Sequence, residues 1–170
     1  MIILAIDPGP VKSAWVVYNP DSLNPIWESG IEENDALIQR FIDGREPICY
    51  MDYGDYEIVV DEVVIEMVAS YGMAVGASVF ETCVTIGRFI QLFSRLPVSM
   101  LYRKDVKMHL CNSMRAKDAN IRQALLDRLG PQGTKKNPGP TFGVSKDIWS
   151  ALACAVTFAD TKPKGEPDGR

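Results

Sequence analysis

Three acidic side chains stand where chemistry is most easily built. Asp7 ends the apolar run Ile2-Ile3-Leu4-Ala5-Ile6 and opens the turn Asp7-Pro8-Gly9. Glu66 lies near the exit of Val63-Val64-Ile65-Glu66-Met67-Val68, and Asp147 falls two residues after Ser145, in the opening turn of an apolar helix. A lone carboxylate at the end of a buried strand is unfavourable unless a cation or hydrogen-bond donors neutralise it. Read alone, Asp7 is either an Asx-type cap of its turn or an acid awaiting a cation. Asp147 alone is an ordinary helix N-terminal anion, favoured there by the dipole. Together the three form an oxygen-rich set of the kind that Mg²⁺ or Mn²⁺ takes. Two such ions about 3.5–4 Å apart can activate a water and stabilise the leaving oxygen of a phosphodiester.

A charge of the opposite sign is concentrated further along. Arg103, Lys104, Lys107, Arg115, Lys117, Arg122, Arg128, Lys135 and Lys136 face only Asp105, Asp118 and Asp127 in the same segment, in a chain whose formal net charge is -4. The net charge argues against a generally basic nucleic-acid coat, but a local cluster of this kind is a candidate phosphate-binding face for DNA. The plainer reading is a set of helix surfaces that happen to be basic. Asp61 and Glu62, at the start of their strand, read as solvated acids.

The elements that must position these groups are written in the hydrophobic pattern. Strands over Ile2 to Ile6, Ser13 to Tyr18 and Pro25 to Ile31, separated by Pro-Gly and by Asn19-Pro20-Asp21, predict an antiparallel meander. Asn34 or Asp35 caps a helix with the stripe Leu37, Ile38, Phe41 and Ile42, closed by Gly44. Glu46 to Tyr56 has no clear period and reads as an irregular connection or a short insertion. Strands at Val63 to Val68 and Pro97 to Tyr102 flank a helix from about Gly76 to Ser94 that is apolar on most of its circumference, hence buried in the core or against a second copy. Helices over Arg103 to Cys111 and Asp118 to Leu129 follow, then a Gly-, Pro- and Lys-rich loop from Pro131 to Gly143 and a last helix from Ser145 to about Ala159. Asp7 and Glu66 both fall at strand exits, where parallel sheets gather their ligands.

At 170 residues and 46% apolar content, the chain is large enough for one well-filled domain, expected over residues 1–160, with a disordered tail over 161–170. Cys49, Cys83, Cys111 and Cys154 show no CxxC spacing, imply no zinc site and read as reduced thiols. The N-terminus lacks a basic segment followed by a long apolar stretch, and no apolar run reaches about 18 residues. Neither a signal peptide nor a membrane span is expected, and the expected location is cytoplasmic.

The Ile6-Asp7-Pro8-Gly9 turn, the Val64-Ile65-Glu66 strand and the helix Lys146-Asp147-Ile148-Trp149-Ser150-Ala151-Leu152-Ala153, in this order, resemble the RuvC family of Holliday junction resolvases over roughly Ile2 to Ala159. The resemblance implies an α/β, ribonuclease H-like fold: a mixed five-stranded sheet, three antiparallel then two parallel strands, flanked by helices. It implies a homodimeric endonuclease, dependent on Mg²⁺ with Mn²⁺ as a substitute, that recognises four-way and other branched DNA junctions by shape and cuts two strands symmetrically. By position, Asp7, Glu66 and Asp147 would be metal ligands and catalytic, while Lys107 and Lys117 match basic positions that contact DNA near the scissile phosphate, Lys117 being expected to join the catalytic set. Arg103, Lys104, Arg115, Arg122, Lys135 and Lys136 complete the expected DNA-binding set.

Two positions depart from the pattern. Members usually carry a second acid three residues after the one matching Asp147, where this chain has Ser150; its hydroxyl could approach the same ion directly or through water. Glu62 lies about 13 Å back along its strand from Glu66 and cannot replace that acid. The aromatic wedge expected three residues after the strand Glu is Ala69, with Tyr71 the nearest ring. These departures suggest a divergent branch of looser junction specificity, such as one encoded by a phage and acting in the host cytoplasm. Two rivals remain open: a catalytically idle ribonuclease H-like module that binds nucleic acid or protein, and an actin-like ATPase fragment, which also begins with an Asp-x-Gly turn.

Overall fold

A computed structural model describes residues 1–43, 50–53, 56–70, 72 and 74–162. β1 (Ile3–Asp7), β2 (Lys12–Tyr18) and β3 (Ile26–Glu33) form the expected antiparallel meander. α1 (Asn34–Asp43) follows, and its expected closing residue Gly44 lies outside the described residues. A separate hairpin of β4 (Tyr50–Tyr53) and β5 (Tyr56–Val59) then precedes β6 (Glu62–Met67), α2 (Ala77–Leu92) and β7 (Val98–Tyr102). The main sheet has the order β3-β2-β1-β6-β7, with β1, β6 and β7 mutually parallel. Three antiparallel strands followed by two parallel ones is the topology expected above.

The central strands are apolar on both faces because each face meets a helical layer. Ile3 and Ala5 of β1 face one core cluster, Leu4 and Ile6 the other. The first layer is led by α5 (Ile148–Thr161), which is buried from Ile148 to Phe158 except at half-buried Ser150. Ala151 and Ala155, one turn apart on this helix, are both fully buried. On the other face Leu37 and Phe41 of α1 meet Phe89 of α2 and Phe93 beyond it, with Phe41 edge-on to both Trp15 and Phe93, ring centroids 6.3 and 5.3 Å apart. α3 (Arg103–Cys111) and α4 (Asp118–Leu129) sit on the α5 side, sending Val106, Ile121 and Leu125 into its core.

Several expectations are corrected. The stretch from Glu46 to Tyr56, read as irregular, includes the β4–β5 pairing, whose Tyr53↔Tyr56 register is local and whose Tyr, Ile and Val content favours extended chain; residues 44–49 and 54–55 lie outside the described residues. The loop from Pro131 to Gly143 contains a short pairing of β8 (Gly133–Thr134) with β9 (Asn137–Pro138), which puts Lys135 and Lys136 at its exposed tip. Gly133, at φ +70°, makes this turn: a Cβ there would meet the Asn137 carbonyl oxygen at 2.4 Å.

Glu62, read as solvated, is only 7% exposed and pairs with Lys162, just past α5, while Asp61 accepts the Ile2 N–H at 2.6 Å. The reason is topological: the end of the last helix returns to the start of β6, a pairing one hundred residues long in sequence. Thr161 and Lys162 thus belong to the ordered fold, and residues 163–170 of the tail lie outside the described residues. α2 is not buried all round, since Phe80 and Val84 are 62% and 66% exposed. Of the cysteines, Cys154 is buried, Cys111 half-buried and Cys83 exposed; Cys49 lies outside the described residues. Among the described residues no helix is long and apolar enough to cross a membrane.

Candidate active site

The site follows from register. Ile6 pairs with Ile65 in the parallel β1–β6 ladder, so Asp7 and Glu66 come next, side by side, as the strands leave the sheet. The turn after Asp7 is tightly built. A Cβ on Gly9 would lie 2.4 Å from the Lys12 carbonyl oxygen, so only glycine closes it. Buried Asn34 locks it from below, donating to the Gly9 carbonyl at 3.0 Å and to Thr85 of α2 at 3.2 Å while accepting from Ser13 at 2.7 Å.

Glu66 has a cation of its own. Arg103, the first residue of α3, follows directly on β7, and β7 pairs with β6 up to Met67↔Tyr102. Its Nη1 therefore reaches back to both Glu66 carboxylate oxygens, at 3.2 and 3.4 Å, while Nη2 donates to Asp118 at 2.6 Å. The Cys154 thiol completes the surroundings of Glu66, 3.8 Å from Oε2. Asp147 stands exposed at the N-cap of α5, and one turn on the Ser150 hydroxyl donates a hydrogen bond to Asp7.

The electrostatics are those of crowded acids. Burial first, then the neighbouring Glu66, pushes Asp7 up to about 7; Asp147 adds to the rise, while Arg103 and the Ser150 hydrogen bond oppose it. Burial also raises Glu66, against the pull of Arg103 and of the Cys154 hydrogen bond. Such a pair favours either protons or a bound cation. Among the described residues no three Asp, Glu, His or Cys side chains form a ready-made metal cage. The donor set nonetheless suits Mg²⁺, which takes one or two protein carboxylates and keeps waters or substrate phosphates for the rest. Asp7 and Glu66 would hold the ion, with Asp147 close enough to act on Asp7 through its charge.

The sequence matches no protein-family model and no curated relative. Solved structures do match. Thermus thermophilus RuvC superposes with a TM-score of 0.62 at 16% identity, and RuvC of the same organism in complex with a Holliday junction substrate superposes with a TM-score of 0.65 at 14% identity. Each match covers 94% of this chain and 93% of the other. The fold is that of RuvC.

On this RuvC fold a cleft of about 810 Å³ opens between α4 and the start of α5, walled by Arg103, Asp118, Arg122, Lys146, Asp147 and Ser150 among others. Asp7 and Glu66 are not on its wall. The basic residues divide by position. Arg122 lies over the Trp149 ring at 5.2 Å and donates to Gln132 at 3.0 Å; Lys117 is exposed just before α4, its N–H donating to Asn120 at 2.9 Å. Lys104 lies over Tyr102 at 5.7 Å, Lys107 is half-buried on α3, and Arg115, Lys135 and Lys136 are exposed. Arg128 turns away to Asp160, which His109 also contacts.

The fold therefore brings Asp7, Glu66, Asp147 and Ser150 to one corner and spreads the cations around it. Sequence reasoning missed Arg103 as the partner of Glu66, Asp118 as its second anchor, and Asn34 beneath the turn. The available signal for Arg103 was its place immediately after a strand parallel to β6, which puts its side chain at the same sheet edge.

Proposed function

We propose that the chain is a metal-dependent, structure-selective endonuclease that resolves four-way DNA junctions, and accepts other branched DNA, by hydrolysing one phosphodiester in each of two strands. Residues 1–160 would form the catalytic unit, acting as a homodimer. The observation that carries this reading is the Asp7–Glu66 pair: two carboxylates crowded at neighbouring parallel strand exits, with Asp7 raised to about 7. The RuvC fold supports it, since a solved relative of that fold holds a Holliday junction. Mg²⁺, or Mn²⁺ in its place, would supply Lewis acidity toward the phosphate and an activated water. The chain's own residues do the rest. Asp7 and Glu66 would hold the ion, and Asp147, on the wall of the cleft through which the strand would pass, would reach it directly or through water; Ser150 orients Asp7, and Asn34 and Gly9 fix the turn.

The test is a synthetic four-way junction incubated with Mg²⁺ and mapped on all four strands. Paired nicks in two opposed strands, absent from linear duplex of the same sequence, are the expected result. One observation favours the rival reading of an idle binding module: Glu66 already has a counter-cation in Arg103. Binding without cutting at every Mg²⁺ and Mn²⁺ concentration would support that rival.

Two further expectations arise here. α2 turns Phe80 and Val84 outward, and Gly87, open to solvent on the same stripe, would allow close approach of a second helix. Symmetric incision of a two-fold junction calls for a two-fold dimer. Val84→Arg should convert the dimer to monomer by light scattering and reduce paired incision roughly tenfold or more while leaving the monomer folded, because a buried unpaired charge disrupts an apolar interface. An unchanged dimer would move the interface elsewhere.

Lys117 and Lys136 separate by distance from the cleft, the first beside its Asp118 wall, the second at the β8–β9 tip. Lys117→Ala should lower the cleavage rate at saturation by roughly tenfold or more, as loss of a positive group near developing charge does. Lys136→Ala should weaken binding and flatten its salt dependence by about one counterion. Equal binding losses with unchanged turnover in both would show that Lys117 only contributes to affinity.

A further inference from the structure

We propose that Arg103 is a resident counter-cation that competes with the divalent ion for Glu66, and so sets the metal affinity of the site. This rests on reading Asp7 and Glu66 as the metal-binding pair. Both oxygens of Glu66 lie within 3.4 Å of Arg103 Nη1, and both side chains are largely buried, 24% exposed for Arg103 and 13% for Glu66. A surface ion pair of this kind would mean little; here neither group is well hydrated, so each needs the other.

The chemistry of the guanidinium makes the competition direct. An arginine stays charged at every accessible pH, so it cannot leave Glu66 by losing a proton, as a lysine could. It must move. Its other arm, on Asp118 at 2.6 Å, shows how: Asp118 is 82% exposed, so the side chain can keep that anchor while withdrawing from the buried acid. Arg103 and Asp118 both line the cleft, so the withdrawn guanidinium would face the space where a DNA phosphate would lie.

Without metal, Arg103 offsets part of the charge of Glu66, while the crowding of Glu66 against Asp7 persists. For Glu66 to hold a divalent cation, the Arg103 guanidinium would have to give up its contacts with the carboxylate. Arg103 therefore weakens metal binding to the free protein. Once a phosphate occupies the cleft, it offers the displaced guanidinium a new anion, and the same residue then couples DNA binding to metal binding, reciprocally. Arg103 acts on the reaction through Glu66 and is a positioning residue in this role.

The test is calorimetric titration of Mn²⁺ into the full-length chain without DNA, for wild type, Arg103→Gln and Arg103→Lys. Removing a unit charge from contact with a ligand carboxylate should tighten Mn²⁺ binding by roughly tenfold or more in Arg103→Gln. Arg103→Lys, which keeps the charge but has no second nitrogen to hold Asp118 while the first holds Glu66, should fall between, about threefold tighter than wild type. Because loss of the pair leaves Glu66 unneutralised, Arg103→Gln should also melt at lower temperature than wild type in chelator and recover more than wild type on adding Mg²⁺. Should Arg103→Gln fail to fold, the Arg103→Lys isotherm decides, and affinity equal to wild type overturns the proposal. Unchanged or weaker Mn²⁺ binding in Arg103→Gln, with wild type binding and cutting junctions, overturns the role of Arg103 and leaves the nuclease reading standing. Tighter binding in Arg103→Gln with no cutting by wild type does the reverse. No binding by any of the three removes the metal site, and both readings with it.

Discussion

Asp7→Asn is expected to reduce cleavage of a four-way junction by roughly a thousandfold or more while junction affinity is kept or increased. The amide keeps the shape of the carboxylate and its hydrogen bond from Ser150, so the turn should still close; what is lost is the negative oxygen that an ion would take. Affinity should not fall, because one negative charge near the incoming phosphate is removed. Loss of junction binding in a folded Asp7→Asn protein would contradict the assignment.

The same substitution has a signature in stability. Asp7 is raised from 3.8 to about 7 in the fold, so the folded state favours its protonated form. That contribution is full below pH 4 and disappears as pH rises through 7. In chelator the wild type should therefore lose stability between about pH 4 and about pH 7, a trend that raised Glu66 reinforces, and Asp7→Asn should be spared its share. The melting temperature of Asp7→Asn minus that of wild type should grow across this range and level off above about pH 7, and saturating Mg²⁺ should erase the gap. A difference independent of pH would mean that Asp7 is not the strained acid described.

The second large effect separates Asp147 from Ser150. Both stand on the first turn of α5, but Asp147 is an exposed carboxylate on the cleft wall and Ser150 a hydroxyl turned to Asp7. Asp147→Asn should lower turnover by roughly a hundredfold or more, since a neutral amide is a poor substitute for a carboxylate on a hard cation. Ser150→Ala removes one hydrogen bond and should keep activity to within about tenfold, with Asp7 pushed higher still. Ser150→Asp should be active at lower metal concentration. If Ser150→Ala is as inactive as Asp147→Asn and folds normally, Ser150 is itself a required ligand.

How far these residues could be read from the chain depends on the range of the interactions that hold them. β1 and β6 were plain, because strands buried on both faces are written as unbroken apolar runs, and the acids at their exits stand out against them. The β4–β5 hairpin was not, since its acids interrupt the pattern. Glu62 looked like a surface acid because the cation that allows its burial, Lys162, comes from the far end of the chain. Arg103 was read with the other cations as a phosphate contact; only the parallel β6–β7 register shows that its first partner is Glu66. The exposed side of α2 was ambiguous for a different reason: an apolar stripe is written the same way whether a core or a second copy covers it. The hydrophobic pattern singled out Asp7 and Glu66, the resemblance added Asp147, and only the topology shows Arg103 beside Glu66.

The most direct measurement is anomalous diffraction at the manganese edge from crystals grown with Mn²⁺. A peak is expected between the Asp7 and Glu66 carboxylates, with an oxygen of each at about 2.2 Å and with the Arg103 guanidinium withdrawn toward Asp118. Saturating Mn²⁺ with no peak at this pair, or a peak only on exposed acids elsewhere while Arg103 remains on Glu66, would contradict the account.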